Sequence, residues 1–251
     1  MSRCWLTGAS SGIGAALAQS LLEQGHQVAL GGRHADSLAS LAERFPGQVL
    51  LAIGDLDDPE QVAEIAARIQ LAWGALDMAI FNAGTCEYLE PGQFDPAVVE
   101  RVIRTNLMGV SYCLAAALPL LRAGHRPHLV VMGSSVTWLA LPRAGAYGAS
   151  KAAVRYLVES QRIDLTREGI DVTLVSPGFV DTPLTRRNDF PMPQLWSAQR
   201  AARHIAKRLS RRPLEINFPG IFTLALRLLG AMPARLRLVL GQRLARHEQD
   251  R

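Results

Sequence analysis

Over the first 180 residues, short apolar runs alternate with longer stretches whose apolar residues recur at helical spacing. Such runs suit strands buried on both faces, and the longer stretches suit helices that cover them. The runs predict strands over Cys4–Thr7, Gln27–Gly31, Val49–Ile53, Asp77–Phe81, His128–Gly133 and Asp171–Ser176, with a seventh over Leu214–Phe218. Helices are predicted over Ile13–Gln24, Ala35–Arg44, Pro59–Ala72, Pro96–Leu121 and Ala146–Arg167. In the first of these, Leu17 and Leu21 share one face and Gly25 stands where a C-terminal cap belongs. The alternation is that of βαβ units around a parallel sheet. No stretch rich in Pro, Ser or Gly divides the chain, so a single domain of 251 residues is expected.

Composition narrows the class. Apolar residues make up 49% and charged residues 20%, which excludes a disordered chain. Three cysteines, Cys4, Cys86 and Cys113, suggest neither a disulfide framework nor a zinc cluster. The six histidines show no ligand spacing, so no metal site is expected. The opening MSRCWLTGAS lacks the apolar stretch of a signal peptide, which predicts a cytoplasmic setting. Charge is uneven. Residues 1–185 carry 13 Lys+Arg against 18 Asp+Glu, whereas residues 186–251 carry 14 against 4. Only Lys151 and Lys207 are lysine, and the other basic residues are arginine. An ammonium and a guanidinium are not interchangeable, so each lysine draws interest.

Directly after the first predicted strand comes Thr7-Gly8-Ala9-Ser10-Ser11-Gly12-Ile13-Gly14, leading into a helix. Glycines there allow a tight turn and bring backbone N–H groups close to a pyrophosphate at the helix N-terminus. The second strand ends in Leu30-Gly31-Gly32-Arg33-His34. An NAD site would place an acidic residue here for the ribose hydroxyls. Gly32 instead leaves space and Arg33 offers a guanidinium suited to a 2′-phosphate, so NADP(H) is expected over NAD(H). At the third strand end, Asp55 is placed to accept from an adenine amino group, and Asp57 or Asp58 to cap the helix that Pro59 opens.

A second cluster is Tyr147-Gly148-Ala149-Ser150-Lys151 at the start of a long helix. Positions i and i+4 share a helical face, so phenol and ammonium are directed into one space. A phenol ionises near pH ~10 in water, and a neighbouring cation lowers that value. The pair is therefore suited to proton exchange with a carbonyl or alcohol. Ser134 lies 13 residues upstream at a strand end.

Through TGASSGIG, Asp55, Asn82-Ala83-Gly84, Asn106, Ser134, YGASK and Pro177-Gly178, the chain resembles the classical short-chain dehydrogenases/reductases over about residues 3–185. The resemblance implies a Rossmann-type fold, about seven strands in the order 3-2-1-4-5-6-7, and a nicotinamide cofactor. It implies that Tyr147 is the acid/base and that Lys151 holds the nicotinamide ribose and lowers the Tyr147 pKa. Ser134, with Ser135 as the alternative, would orient the substrate carbonyl, and Asn106 would support a water leading to Lys151. Gly8, Ser10, Ser11, Gly12, Ile13 and Gly14 would cradle the cofactor. Asn82, Ala83 and Gly84 would pass beside it, and Pro177, Gly178, Val180 and Thr182 would border its nicotinamide end. Phe81 departs from the asparagine that the family often has before Asn82. The implied reaction is hydride transfer between the nicotinamide and a small carbonyl or alcohol substrate, with a homo-oligomer as the usual assembly. A non-catalytic cofactor-binding protein is the alternative on the same fold.

The division that follows is a core over 1–182, a substrate lid over 183–213, and a last strand with a basic amphipathic segment over 214–251. Phe190, Met192 and Trp196 are candidates for an apolar pocket mouth, and Ser197–Leu209 for a helix with a basic side. The segment Ile221–Leu229 is apolar except Arg227, and leucines interleaved with arginines follow it. Arg227 and Arg235 leave no 18-residue uncharged run in this segment, so a spanning helix is not expected there. Subunit packing, contact with a membrane surface and a lid all remain open for it. The arginines lack interleaved aromatics or glycines, which argues against nucleic-acid binding.

Overall fold

The computed structural model describes residues 1–249, with side chains through Ala245. Seven parallel strands form one sheet in the order β3 (Val49–Ile53), β2 (Gln27–Gly32), β1 (Arg3–Leu6), β4 (Met78–Phe81), β5 (His128–Met132), β6 (Asp171–Pro177) and β9 (Glu215–Phe218). The expected order therefore holds, with the seventh strand of the sheet ninth along the chain. β7 (Val180–Asp181) and β8 (Trp196–Ser197) form a separate two-residue parallel bridge, which the apolar pattern is too short to show.

Strand geometry sends successive side chains to opposite faces. Cys4 and Leu6 of β1 join one core with Val28, Leu30, Val130 and Met132, whereas Trp5 joins the other with Ala29, Leu129 and Val131. α1 (Gly12–Glu23), α2 (Asp36–Arg44) and α7 (Ala198–Leu209) cover the first face through Leu17, Leu21, Leu38 and Ile205. α3 (Pro59–Trp73), α5 (Gly109–Arg122) and α6 (Gly145–Arg167) cover the second through Ile65, Ile69, Cys113, Leu121 and Val154. Both faces are buried, as the uninterrupted apolar strands require. From β1 the chain first winds outward to β2 and β3, then returns to β4 on the other side of β1. That reversal opens a crevice at the carboxyl ends of β1 and β4, where such sheets bind ligands.

The region expected as one helix over 96–121 is interrupted. α4 (Pro96–Ile103) passes into a π-helical turn, Arg104–Met108, before α5. The Gly109 N–H bonds to the Arg104 carbonyl, one residue further back than in an α-helix. Val102, Val110, Cys113 and Leu114 are buried at helical intervals across this turn, so the apolar pattern does not mark it. α8 (Gly220–Gly230) matches the apolar segment, and α9 (Ala234–Gln249) follows after Pro233.

Asp77, just before β4, joins its strand to β1. It accepts from the Arg3 N–H (2.9 Å), Nε (3.1 Å) and Nη2 (2.8 Å), and from the His125 N–H (2.8 Å). Burial acts to raise its pKa, but these donors together outweigh burial and hold the carboxyl down at about 2. A carboxyl depressed on folding stabilises above its unfolded pKa, and that contribution is lost as pH falls through the folded value. Asp77→Asn is expected to cost about 1.5–3 kcal/mol at pH 7 by chemical denaturation. The difference from the parent should shrink as pH falls from about 4 to about 2; a gap that stays constant across that window would contradict the assignment.

Candidate active site

The crevice is a cleft of about 670 Å³. Its lining includes Gly8, Ser10, Ser11, Gly12, Ile13, Arg33 and Asp55 at one end, and Ser134, Tyr147, Lys151, Pro177, Gly178, Val180 and Thr182 at the other. Asn82, Ala83 and Gly84 lie along it as well. Of the residues the sequence singles out, Gly14 and Asn106 are outside this lining, and so are Phe190, Met192 and Trp196, the candidates for the pocket mouth. Trp196 stacks instead on Phe218 in the core, with ring centroids 5.1 Å apart.

The turn after β1 lines one end of the cleft. Ser11 takes the cap position of α1 in extended backbone, yet its side chain makes no cap hydrogen bond. Asp58 caps α3 by accepting from the Glu60 and Gln61 N–H groups, and Ser197 caps α7 by accepting from the Arg200 N–H, whereas the starts of α2, α5, α6 and α8, like that of α1, have no side-chain cap. The start of α1 lines the cleft, with first-turn donors at the positive end of the helix dipole. Thr7 holds the neighbouring strand end, because its Oγ1 accepts from the N–H groups of Asn82 (3.0 Å) and Ala83 (3.1 Å). The Asn82 side chain donates back to the carbonyls of Thr7 (3.1 Å) and Gly8 (3.0 Å). The sequence reading does not pick out Thr7, although a hydroxyl at a strand end beside a glycine turn is a usable signal.

At the carboxyl end of β2, Arg33 is exposed and has no ion pair among the described residues. A side chain on Gly32 would meet Leu38 Cδ1 at 3.1 Å, so the space beside Arg33 stays free. Asp55 is partly committed locally, since its Oδ1 accepts from the Asp57 N–H (3.0 Å). Of the two capping candidates, Asp58 is the cap, and Asp57 accepts instead from Thr105 Oγ1 (2.9 Å).

At the other end, α6 presents Tyr147 and Lys151 to the cleft from one helical face, and Ser134 ends the stretch after β5. Ser134 lines the cleft and Ser135 does not. The Ser134 Oγ accepts from the Val136 N–H (3.2 Å), which leaves its own O–H to donate. Burial pushes the Tyr147 phenol up to about 12, with the Ser134 hydroxyl pulling the other way. Burial also brings the Lys151 ammonium down to about 8. The expected lowering of the phenol by Lys151 is not seen here, because desolvation dominates and Nζ donates to the Met132 carbonyl (2.9 Å). That backbone acceptor has no signature in a sequence.

Asn106 is fully buried in the π turn. Its Oδ1 accepts from the Thr85 N–H (2.7 Å), and its Nδ2 donates to the Thr85 carbonyl and to Ser150 Oγ, both at 2.9 Å. Ser150 in turn donates to the Tyr147 carbonyl (2.7 Å). Asn106 therefore ties the strand end carrying Gly84 to the helix carrying Tyr147. A side chain on Gly84 would meet Asn106 Oδ1 at 3.0 Å and Lys151 Nζ at 3.3 Å, so the cradle beside the ammonium needs a bare backbone.

Residues 188–190 are tied to Tyr88, Arg143 and Phe179. Tyr88 Oη donates to Asn188 Oδ1 (2.7 Å), and Arg143 Nη1 donates to both Asp189 oxygens at 2.8 Å. The Phe190 ring lies edge-on to Tyr88 (5.8 Å) and to Phe179 (6.0 Å).

A doubly wound sheet, an uncapped glycine turn and a Ser/Tyr/Lys set in one cleft define a nicotinamide-dependent oxidoreductase. The comparisons agree: the short chain dehydrogenase family model matches residues 3–191, and the chain belongs to that family. An uncharacterized oxidoreductase of Myxococcus xanthus is 32% identical over 231 residues, covering 91% of each chain. A short chain dehydrogenase from Burkholderia cenocepacia, solved in complex with NADP, shares 26% identity over 97% of each chain at a TM-score of 0.82. A Burkholderia phymatum short chain dehydrogenase/reductase in complex with NAD shares the fold at a TM-score of 0.82 and 22% identity, over 90% of this chain and 92% of its own.

Proposed function

We propose that the protein is an NADP(H)-dependent reductase of an apolar carbonyl compound, able to run in reverse on the alcohol. The observation that carries the reading is the presence of Ser134, Tyr147 and Lys151 in the cleft that Arg33 and the uncapped turn also line. When bound, the nicotinamide supplies or takes up the hydride. Ser134 donates its O–H to the substrate oxygen and so holds the carbonyl in place. Tyr147 gives its proton to that oxygen as negative charge develops there. The ammonium of Lys151 is placed to exchange its Met132 carbonyl for the ribose hydroxyls and to favour the phenolate that remains. Residues 1–182 provide this machinery, and the segment from 183 acts as the lid, whose Phe190 with Phe179 and Tyr88 offers apolar surface to the substrate.

Arg33 supports the choice of cofactor. A guanidinium gives charge-assisted hydrogen bonds to a 2′-phosphate, and NAD has no such group. The relative bound to NADP agrees with this reading, and the NAD complex of a more distant one makes a direct test necessary. Arg33→Ala is expected to weaken NADPH binding about 10–100-fold while changing NADH binding by under about threefold. Fluorescence titration of both cofactors checks this, and equal losses would remove Arg33 as the phosphate reader. Ketones and aldehydes of graded size, followed by loss of NADPH absorbance, test the reaction. Consumption should rise with apolar size, and no consumption across the series with bound NADPH would overturn the reductase reading.

A further inference from the structure

The last two helices present apolar side chains that nothing else in the described residues covers. α8 buries Thr223 and Leu226 against β9 and the 3₁₀ turn Ser135–Trp138, and Gly230 lets its end press on the Trp138 carbonyl. Its outer side carries Ile221, Leu224 and Leu228, exposed by 79, 57 and 64%. Their spacing of three and four residues makes one stripe. α9 adds the exposed Leu236, Leu238, Val239 and Leu244. Seven of the fifteen large apolar side chains exposed among the described residues thus fall between positions 221 and 244. Single exposed leucines are ordinary, whereas a cluster marks an interaction surface.

Charge decides what the surface fits. From Ile216 to His247 the chain has no Asp or Glu, and it carries Arg227, Arg235, Arg237, Arg243 and Arg246. Arg227 lies over the Trp138 ring, whereas a twofold contact with a second copy through α9 would set Arg235, Arg237 and Arg243 against their own copies. An anionic bilayer has the complementary charge, an acyl layer for the leucines and headgroups for the arginines, whose long stems reach outward from apolar surroundings. No helix among the described residues is long and apolar enough to cross a membrane, so contact would be along the surface.

We propose that α8 and α9 dock the protein peripherally on an anionic lipid bilayer. Such docking also orients the cleft. Phe222 of α8 points inward, its ring centroid 5.5 Å from that of Phe179 and its Cδ1 2.8 Å from where a side chain on Gly178 would begin. Gly178 lines the cleft, so the Tyr147 end lies beside the docked helix. On the reductase reading, on which this consequence alone rests, an apolar carbonyl compound could then enter from the lipid.

The test is sedimentation of the full chain with vesicles of phosphatidylcholine alone, or with about one-third phosphatidylglycerol. The protein is expected to sediment with the anionic vesicles and to leave them at high salt. Leu224→Gln with Leu228→Gln, and separately Arg235→Gln with Arg237→Gln, should each lower partitioning by about tenfold or more. NADPH titration of these variants should match the parent and so report an intact fold. Parent protein that stays in the supernatant, or variants that sediment like it, would overturn docking. If the parent ignores vesicles and the leucine variant splits a larger assembly by light scattering, the face belongs to a second copy. Tyr147→Phe should sediment like the parent, which separates docking from turnover.

Discussion

Tyr147→Phe is expected to lower turnover by about a thousandfold in either direction while leaving NADPH binding within about threefold of the parent. The substitution removes one oxygen, and the phenyl ring that remains keeps the packing. What disappears is the O–H that, on the proposed mechanism, neutralises the alkoxide as hydride arrives. A thousandfold corresponds to about 4 kcal/mol of transition-state stabilisation, within the range of a positioned general acid. The pH dependence separates this role from a passive one. Carbonyl reduction needs the proton on the phenol and should slow as pH rises, whereas alcohol oxidation needs the phenolate and should quicken. Burial holds the phenol up at about 12 while Nζ of Lys151 donates to the Met132 carbonyl, so on the proposed mechanism the alkaline limb would belong to the cofactor-bound state, in which that ammonium would turn to the ribose. Stopped-flow rates and cofactor titration of the same preparation check both halves. A variant that retains more than about a tenth of parental turnover would show that another group delivers the proton.

What the sequence conveys about this site depends on how local each feature is. The glycine turn and YGASK are contiguous, and their elements follow from apolar spacing, so both ends of the cleft are legible without coordinates. Both Ser134 and Ser135 are buried, and the backbone after β5 places only Ser134 in the cleft lining, which no spacing in the sequence shows. The contacts that tie down residues 188 and 189 are different in kind. Arg143 reaches Asp189 across 46 positions and Tyr88 reaches Asn188 across 100, so no periodicity within one element announces either contact. The same holds for the bonds from Asn106 to Thr85 and Ser150. A motif identifies Asn106, but only the π turn shows it spending both amide hydrogens on protein atoms. Lys151 is conspicuous in an arginine-rich chain, whereas its Met132 partner is a backbone carbonyl that any residue could supply.

Gly14→Ala is expected to produce the largest loss of stability, although it adds only a methyl group in a helix. Glycine inside a helix ordinarily costs about 0.5–1 kcal/mol relative to alanine, so the exchange would stabilise most helices. Here the added carbon would lie 2.0 Å from the Gly8 carbonyl oxygen and 2.5 Å from Asn82 Nδ2. Neither neighbour is free to withdraw. Gly8 has φ of +66°, and a side chain there would strike Ala83 Cα at 2.8 Å, so its backbone is already wedged against β4's exit. Asn82 is held by two hydrogen bonds to the same turn. Relief requires moving the turn away from the strand, which breaks those bonds and displaces the α1 donors that face the cleft. Overpacking of this kind costs about 3 kcal/mol, or roughly 6–12 °C in melting temperature for a chain of this size. NADPH affinity should fall with it by about tenfold or more, since the anion-binding donors shift together. Gly148→Ala makes the contrast. That glycine is also helical and sits inside YGASK, but a side chain there meets nothing nearer than Val136 Cγ2 at 3.9 Å. It should melt at or slightly above the parental temperature. Thermal scans of both variants with and without NADPH decide the matter, and a Gly14→Ala protein melting within about 2 °C of the parent would mean that the turn yields where the packing says it cannot.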